Sequence, residues 1–252
     1  MKKRIMIAAV CILIAAVVFL HAVPGARWFI MSGTSSMMYP KPPVLTEGVT
    51  HIACIGDSIT YGAGVLDENG EAYEELTWPY YLEQKFDGQA QLLNYGLCGR
   101  TLQKEGDYPY VDTYFYPVSL DVRADKYLIM LGTNDSKAQN WDAERYRQEL
   151  EEFVLSYKML PNNPEVILIT PPQAFVMEGK ETVAYEIQQD VLQEEIVPIV
   201  TEIADKLGIR CFDLNAESEG HADWFADGVH PNAWGNQEIA DFLYENLTKP
   251  NK

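Results

Sequence analysis

Four short blocks hold the residue types that polar group-transfer chemistry uses. They are Gly56-Asp57-Ser58-Ile59-Thr60, Asn94-Tyr95-Gly96-Leu97-Cys98-Gly99-Arg100-Thr101, Gly132-Thr133-Asn134-Asp135 and Asp227-Gly228-Val229-His230-Pro231. A hydroxyl, a carboxylate and an imidazole are the parts of an activated serine nucleophile. Taken singly the blocks are ordinary: Gly56-Asp57-Ser58 suits a capped turn opening a helix, and Asn134-Asp135 suits a helix start. The grouping His221, Asp223, Asp227 and His230 lacks a histidine pair at helical spacing, so no metal site is expected. No cofactor is expected either.

What must position the blocks is legible around them. Short apolar runs lie at His51–Ile55, Gln91–Tyr95, Lys126–Leu131, Glu165–Thr170 and Arg210–Leu214. Helical patterns separate them at about 78–87, 141–158, 183–207 and 232–247. In the third, Ile187, Val191, Ile196, Val200 and Ile203 share a stripe, and Pro198 kinks the helix or starts a new segment; Asn232 suits the N-cap of the fourth. The alternation predicts an α/β fold, a three-layer α/β/α sandwich around a five-stranded parallel sheet. Near-continuous apolarity in Tyr127–Leu131 and Val166–Ile169 marks central strands covered on both faces. Reactive groups in such sheets collect in loops at the carboxyl ends of strands, where three of the four blocks follow a strand.

In order and in spacing from their strands, the blocks resemble those of the SGNH (GDSL-type) hydrolases, over roughly residues 50–248. The resemblance implies a flavodoxin-like SGNH fold and a carboxylic ester hydrolase. It implies Ser58 as nucleophile, His230 as base, Asp227 as its orienting acid, and Ser58, Gly99 and Asn134 as oxyanion-hole donors, with Asp57 a structural hydrogen-bonding residue. The chemistry asks for these types on its own terms. An imidazole is mostly neutral at pH 7 and can take a serine proton, while a carboxylate three residues upstream accepts its other N–H and fixes the tautomer. Donors aimed at the developing oxyanion contribute about 3 to 4 kcal/mol each. The α/β-hydrolase elbow G-x-S-x-G does not fit, because Thr60 stands at its second glycine and Ser58 follows the first strand.

Gly132–Lys137, followed by Asn140-Trp141, is similar to the block of members resembling carbohydrate O-acetylesterases. A small acyl group on a sugar is therefore the expected substrate. Trp141 is a candidate for stacking on the sugar, Arg100 for holding a hydroxyl or carboxylate, and Tyr61 with the Pro171-Pro172-Gln173 loop for lining the cleft. The bland alternatives are a buried helix-start anchor for Trp141 and a surface or ion-pair residue for Arg100. Two further readings of function stay open: a lysophospholipase or short-chain lipase of the same family, and a surface carbohydrate-binding module without turnover.

The formal charge of −18 on 252 residues argues against nucleic acid or anionic headgroups as ligands and favours a neutral small-molecule or glycan ester. Met1-Lys2-Lys3-Arg4 followed by the apolar run Ile5–Leu20 predicts an exported protein, with residues 1–30 a signal anchor or a cleaved signal peptide. Contact with the membrane is expected through this segment alone. Residues 31–48, rich in Ser, Thr, Gly and Pro, read as a linker, and 49–248 as the catalytic domain. Cys54, Cys98 and Cys211 are expected as buried free thiols without a chemical role.

Overall fold

The computed structural model describes residues 43–249. The basic start, the apolar run and most of the linker lie outside the described residues. No helix among the described residues is long and apolar enough to cross a membrane. Five strands, β1 (Thr50–Gly56), β2 (Ala90–Gly96), β3 (Lys126–Met130), β4 (Glu165–Ile169) and β5 (Arg210–Phe212), form one all-parallel sheet in the order β2-β1-β3-β4-β5. This is the flavodoxin-like order, with the switch point between β1 and β3.

The strands alternate their side chains between two cores, as a period of two requires. Ala53, Ile55, Leu93, Tyr95, Tyr127, Ile129, Val166 and Leu168 face one core, and Ile52, Cys54, Leu92, Leu128, Met130, Ile167 and Ile169 face the other. The helices are α1 (Ser58–Tyr61), α2 (Trp78–Lys85), α3 (Phe115–Asp121), α4 (Ala143–Lys158), α5 (Gln189–Val191), α6 (Val197–Leu207), α7 (Leu214–Glu217) and α8 (Ala233–Thr248). On the first face α4 lays Tyr146, Leu150, Phe153, Val154 and Tyr157 against the sheet, beside Ile199, Val200 and Ile203 of α6. On the second, Trp78 and Leu82 of α2 pack with Ile239, Ala240 and Leu243 of α8. Asp142 caps α4 by accepting from the Arg145 N–H, and Asn232 caps α8 by accepting from Gly235, as expected of that residue.

Three expectations change. The helix expected over 183–207 begins only at Gln189, and it passes through a π turn, Leu192–Ile196, before α6. Residues 184–186 form instead a 3-10 turn in which Tyr185 and Glu186 have φ of 59° and 62°. Ile187 is buried all the same, as is Val183, so the apolar stripe is real but its first member belongs to a loop. Helix α3 was not foreseen, and Cys211 is only partly buried, unlike Cys54 and Cys98.

Candidate active site

The site lies at the carboxyl edge of the sheet, where each strand hands over to a loop. Gly56 ends β1, and Asp57 caps α1 with its carboxylate accepting from the Ile59 N–H at 2.9 Å, which places Ser58 in the first position of that helix. The loop after β5 brings in Asp227 and His230. Here Asp227 Oδ1 accepts from the Val229 and His230 backbone N–H groups, at 3.0 and 2.8 Å, closing an Asx turn on its own chain. Gly228 sits in that turn at φ +89°, and a Cβ there would lie 2.2 Å from the Phe175 carbonyl oxygen. Glycine is required on both counts.

His230 bridges the two ends of the chain. Its Nε2 is 2.9 Å from Ser58 Oγ and its Nδ1 is 2.8 Å from Asp227 Oδ2. Ser58 and His230 are both buried, at 7% and 8% exposure, so their hydrogen bond is shielded from bulk water. Burial alone would raise the Asp227 carboxyl, but the hydrogen bonds and charge of His230, with the two backbone donors, hold it far below the usual carboxylate range. It therefore stays ionised at any working pH.

Gly99 and Asn134 arrive from the β2 and β3 loops. Gly99 has φ +75°, while a Cβ there would meet only Tyr108 at an ordinary 3.8 Å. The backbone conformation rather than space asks for glycine. Asn134 Nδ2 lies 3.2 Å from the Arg100 carbonyl oxygen and 3.4 Å from Asp57 Oδ2. These long contacts hold the amide beside the serine turn.

The scaffold behind Gly99 and Asn134 is not legible in the sequence. Asp135 is fully buried, and its carboxylate accepts from the Leu102 and Gln103 N–H groups at 2.9 and 2.8 Å. Asn140 donates to the Asn134 carbonyl oxygen and accepts from the Asp107 N–H, and its own carbonyl accepts from Gln103. The β2 and β3 loops are thus riveted together. Burial pushes the Asp57 and Asp135 carboxyls each up to about 6 despite these donors.

The three candidate substrate residues lie differently from Ser58, His230 and Asp227. Arg100 is buried with its guanidinium over the Tyr108 ring at 5.5 Å, and Tyr61 is buried at the end of α1. Trp141 donates from its indole N–H to Glu195 and packs its ring 5.4 Å from Tyr146. Its contacts are those of a helix-start anchor. A residue that the sequence does not single out, Tyr185, touches both Asp227 and His230: its hydroxyl donates to Asp227 Oδ2 at 2.9 Å, and its ring centre is 5.0 Å from that of His230.

The family model described as GDSL-like Lipase/Acylhydrolase family matches residues 54–238. The chain belongs to this family. Among relatives, an acetylxylan esterase of Xylanibacter ruminicola is 29% identical over 220 residues, covering 80% of this chain and 44% of that protein. The chain thus spans less than half the length of that relative. Solved structures with the same fold include a putative arylesterase from Agrobacterium tumefaciens, with 24% identity, a TM-score of 0.64 and coverage of 79% and 98% of the two chains. A carbohydrate acetylesterase family member from Sinorhizobium meliloti has 22% identity, a TM-score of 0.62 and coverage of 79% and 97%.

Proposed function

We propose that this GDSL-family chain removes O-acetyl groups from a carbohydrate by a Ser58–His230–Asp227 triad. The observation that carries the reading is the single imidazole hydrogen-bonded at once to Ser58 Oγ and to Asp227 Oδ2. On this reading His230 takes the Ser58 proton as Oγ attacks the ester carbonyl, and the oxyanion is received by the Ser58 and Gly99 N–H groups and the Asn134 amide. His230 then passes the proton to the departing alcohol, leaving an acetyl-serine. A water molecule, deprotonated by the same imidazole, releases acetate and restores the serine. The likeness to an acetylxylan esterase supports the choice of acyl group and of a sugar as the alcohol.

We further propose that the reaction takes place outside the cytoplasm, with residues 1–30 as the export segment and 49–248 as the catalytic domain. Basic residues ahead of the apolar run support this orientation.

Acetate release from a panel of O-acetylated glycans tests the reading. Wild type is expected to release acetate and Ser58→Ala to lose turnover with its fold intact by circular dichroism. Full activity in that variant ends the triad assignment. Chain-length dependence of p-nitrophenyl ester cleavage separates a deacetylase, whose rate falls steeply beyond acetate, from a lipase.

A further inference from the structure

The 19 residues between β4 and α5 carry Tyr185 onto the triad, and the carboxylate it reaches is fully engaged. Asp227 Oδ1 accepts from two backbone N–H groups, and Oδ2 accepts from His230 Nδ1 and from the Tyr185 hydroxyl. A carboxylate offers about four acceptor positions, so each has a donor. The phenol is a dependable donor, since desolvation at its hydroxyl, reinforced by Asp227, pushes it up to about 12. The backbone makes a particular effort to place it. Tyr185 and Glu186 both occupy the left-handed region, which bulky residues seldom enter, and Gln188 and Glu186 are tied across to Ser136 and Gln139.

The ring has a second aspect. It meets His230 edge-on, at 66° between planes, and the residue is 55% exposed beside an imidazole that is 8% exposed. In the reaction proposed above, the alcohol departs from the side of the tetrahedral intermediate that His230 protonates, away from the Gly99 and Asn134 donors. An aromatic face beside that imidazole is therefore placed against the alcohol rather than the acyl group. The apolar face of a sugar ring stacks on such a surface.

We propose that Tyr185 serves the site twice, as a positioning residue whose hydroxyl fixes Asp227 and as the binding wall for a cyclic sugar on the alcohol side. The proposal rests on the triad reading and deepens it. It also moves the sugar platform from Trp141 to Tyr185.

The test compares wild type, Tyr185→Phe, Tyr185→Ala and Ser58→Ala of the full chain on two acetyl esters, methyl acetate and O-acetylated xylobiose. Removing the hydroxyl alone, in Tyr185→Phe, is expected to lower kcat about tenfold on both esters, the loss of one hydrogen bond to a charged group, with KM for the sugar unchanged. Removing the ring as well, in Tyr185→Ala, is expected to raise KM for acetylated xylobiose a further roughly fivefold, in the range of one aromatic contact, and to match Tyr185→Phe on methyl acetate. Wild-type kcat in Tyr185→Phe overturns the positioning role. Equal sugar KM in the Phe and Ala variants overturns the binding wall. Residual turnover in Ser58→Ala instead indicts the triad reading, and wild type that cleaves methyl acetate but not the sugar ester indicts the choice of substrate, while the Phe variant on methyl acetate still decides the positioning role.

Discussion

Each proposed catalytic position is one functional group, and its removal has a calculable signature. Asn134 presents its amide beside the serine turn, held by long contacts to the Arg100 carbonyl and Asp57. An oxyanion donor acts on charge that exists only in the transition state, so Asn134→Ala is expected to lower kcat by about 100- to 1,000-fold with little change in KM. Steady-state acetate release checks this, and an equal loss expressed in KM would count against it. Asp227→Asn keeps the shape of the turn but presents an amide whose N–H opposes the His230 Nδ1–H. The ring is then offered the wrong tautomer, and kcat is expected to fall by about 10,000-fold. Because Asp227 is held far below the usual carboxylate range, it stays charged throughout mildly acidic assays, and loss of activity there does not come from its protonation.

Between residue and molecule stand the loops, and their demands explain what the sequence disclosed. Strands were legible because burial on both faces of a parallel sheet requires unbroken apolar runs, as in Tyr127–Met130 and Val166–Ile169. Ser58, Asp227 and His230 could be proposed from the sequence because the chemistry fixes residue type and because each lies within a recognisable block. Tyr185 could not, since Val183 and Ile187 are buried and continue the stripe of the helix that follows, so periodicity assigned to a helix what is a strained loop. For Trp141 sequence nearness to Asn134 suggested the cleft, and in the structure its ring packs 5.4 Å from Tyr146. Helix α3, FYPVSLD, escaped because it carries a proline and no side-chain cap. The loop holding the triad acid makes its own prediction. At Gly228 an added Cβ faces both φ +89° and the Phe175 carbonyl oxygen 2.2 Å away, so the turn must move. Gly228→Ala is expected to cost more than about 1 kcal/mol in urea unfolding and to reduce kcat, because displacement of the turn carries Asp227 and His230 with it. Wild-type values for both would show that the turn has room to spare.

At the scale of the molecule, two buried acids beside Gly99 and Asn134 couple stability to pH. Burial pushes the Asp135 carboxyl from 3.8 to about 6, outweighing the N–H groups of Gln103 and Leu102 that favour its charged form. Between these values the native protein keeps a proton that the unfolded chain has released. The contribution to stability is therefore complete below the unfolded value and is lost as pH rises through about 6. For a fully buried group the loss is on the order of 2 to 3 kcal/mol. Asp57, also pushed up to about 6, acts with the same sign. Asp227 opposes them, since a depressed carboxyl gives stability that is present above its unfolded value and lost on acidification. Asp135→Asn removes one titration while keeping an acceptor for one of the two loop N–H groups. Whatever the variant loses in absolute terms, its stability relative to wild type should improve as pH rises from 4 to 7 and then level off. Urea unfolding at a series of pH values measures that difference, and a gap that does not change with pH would mean that Asp135 is ionised in the native fold throughout, leaving the junction between the β2 and β3 loops held by a buried charge.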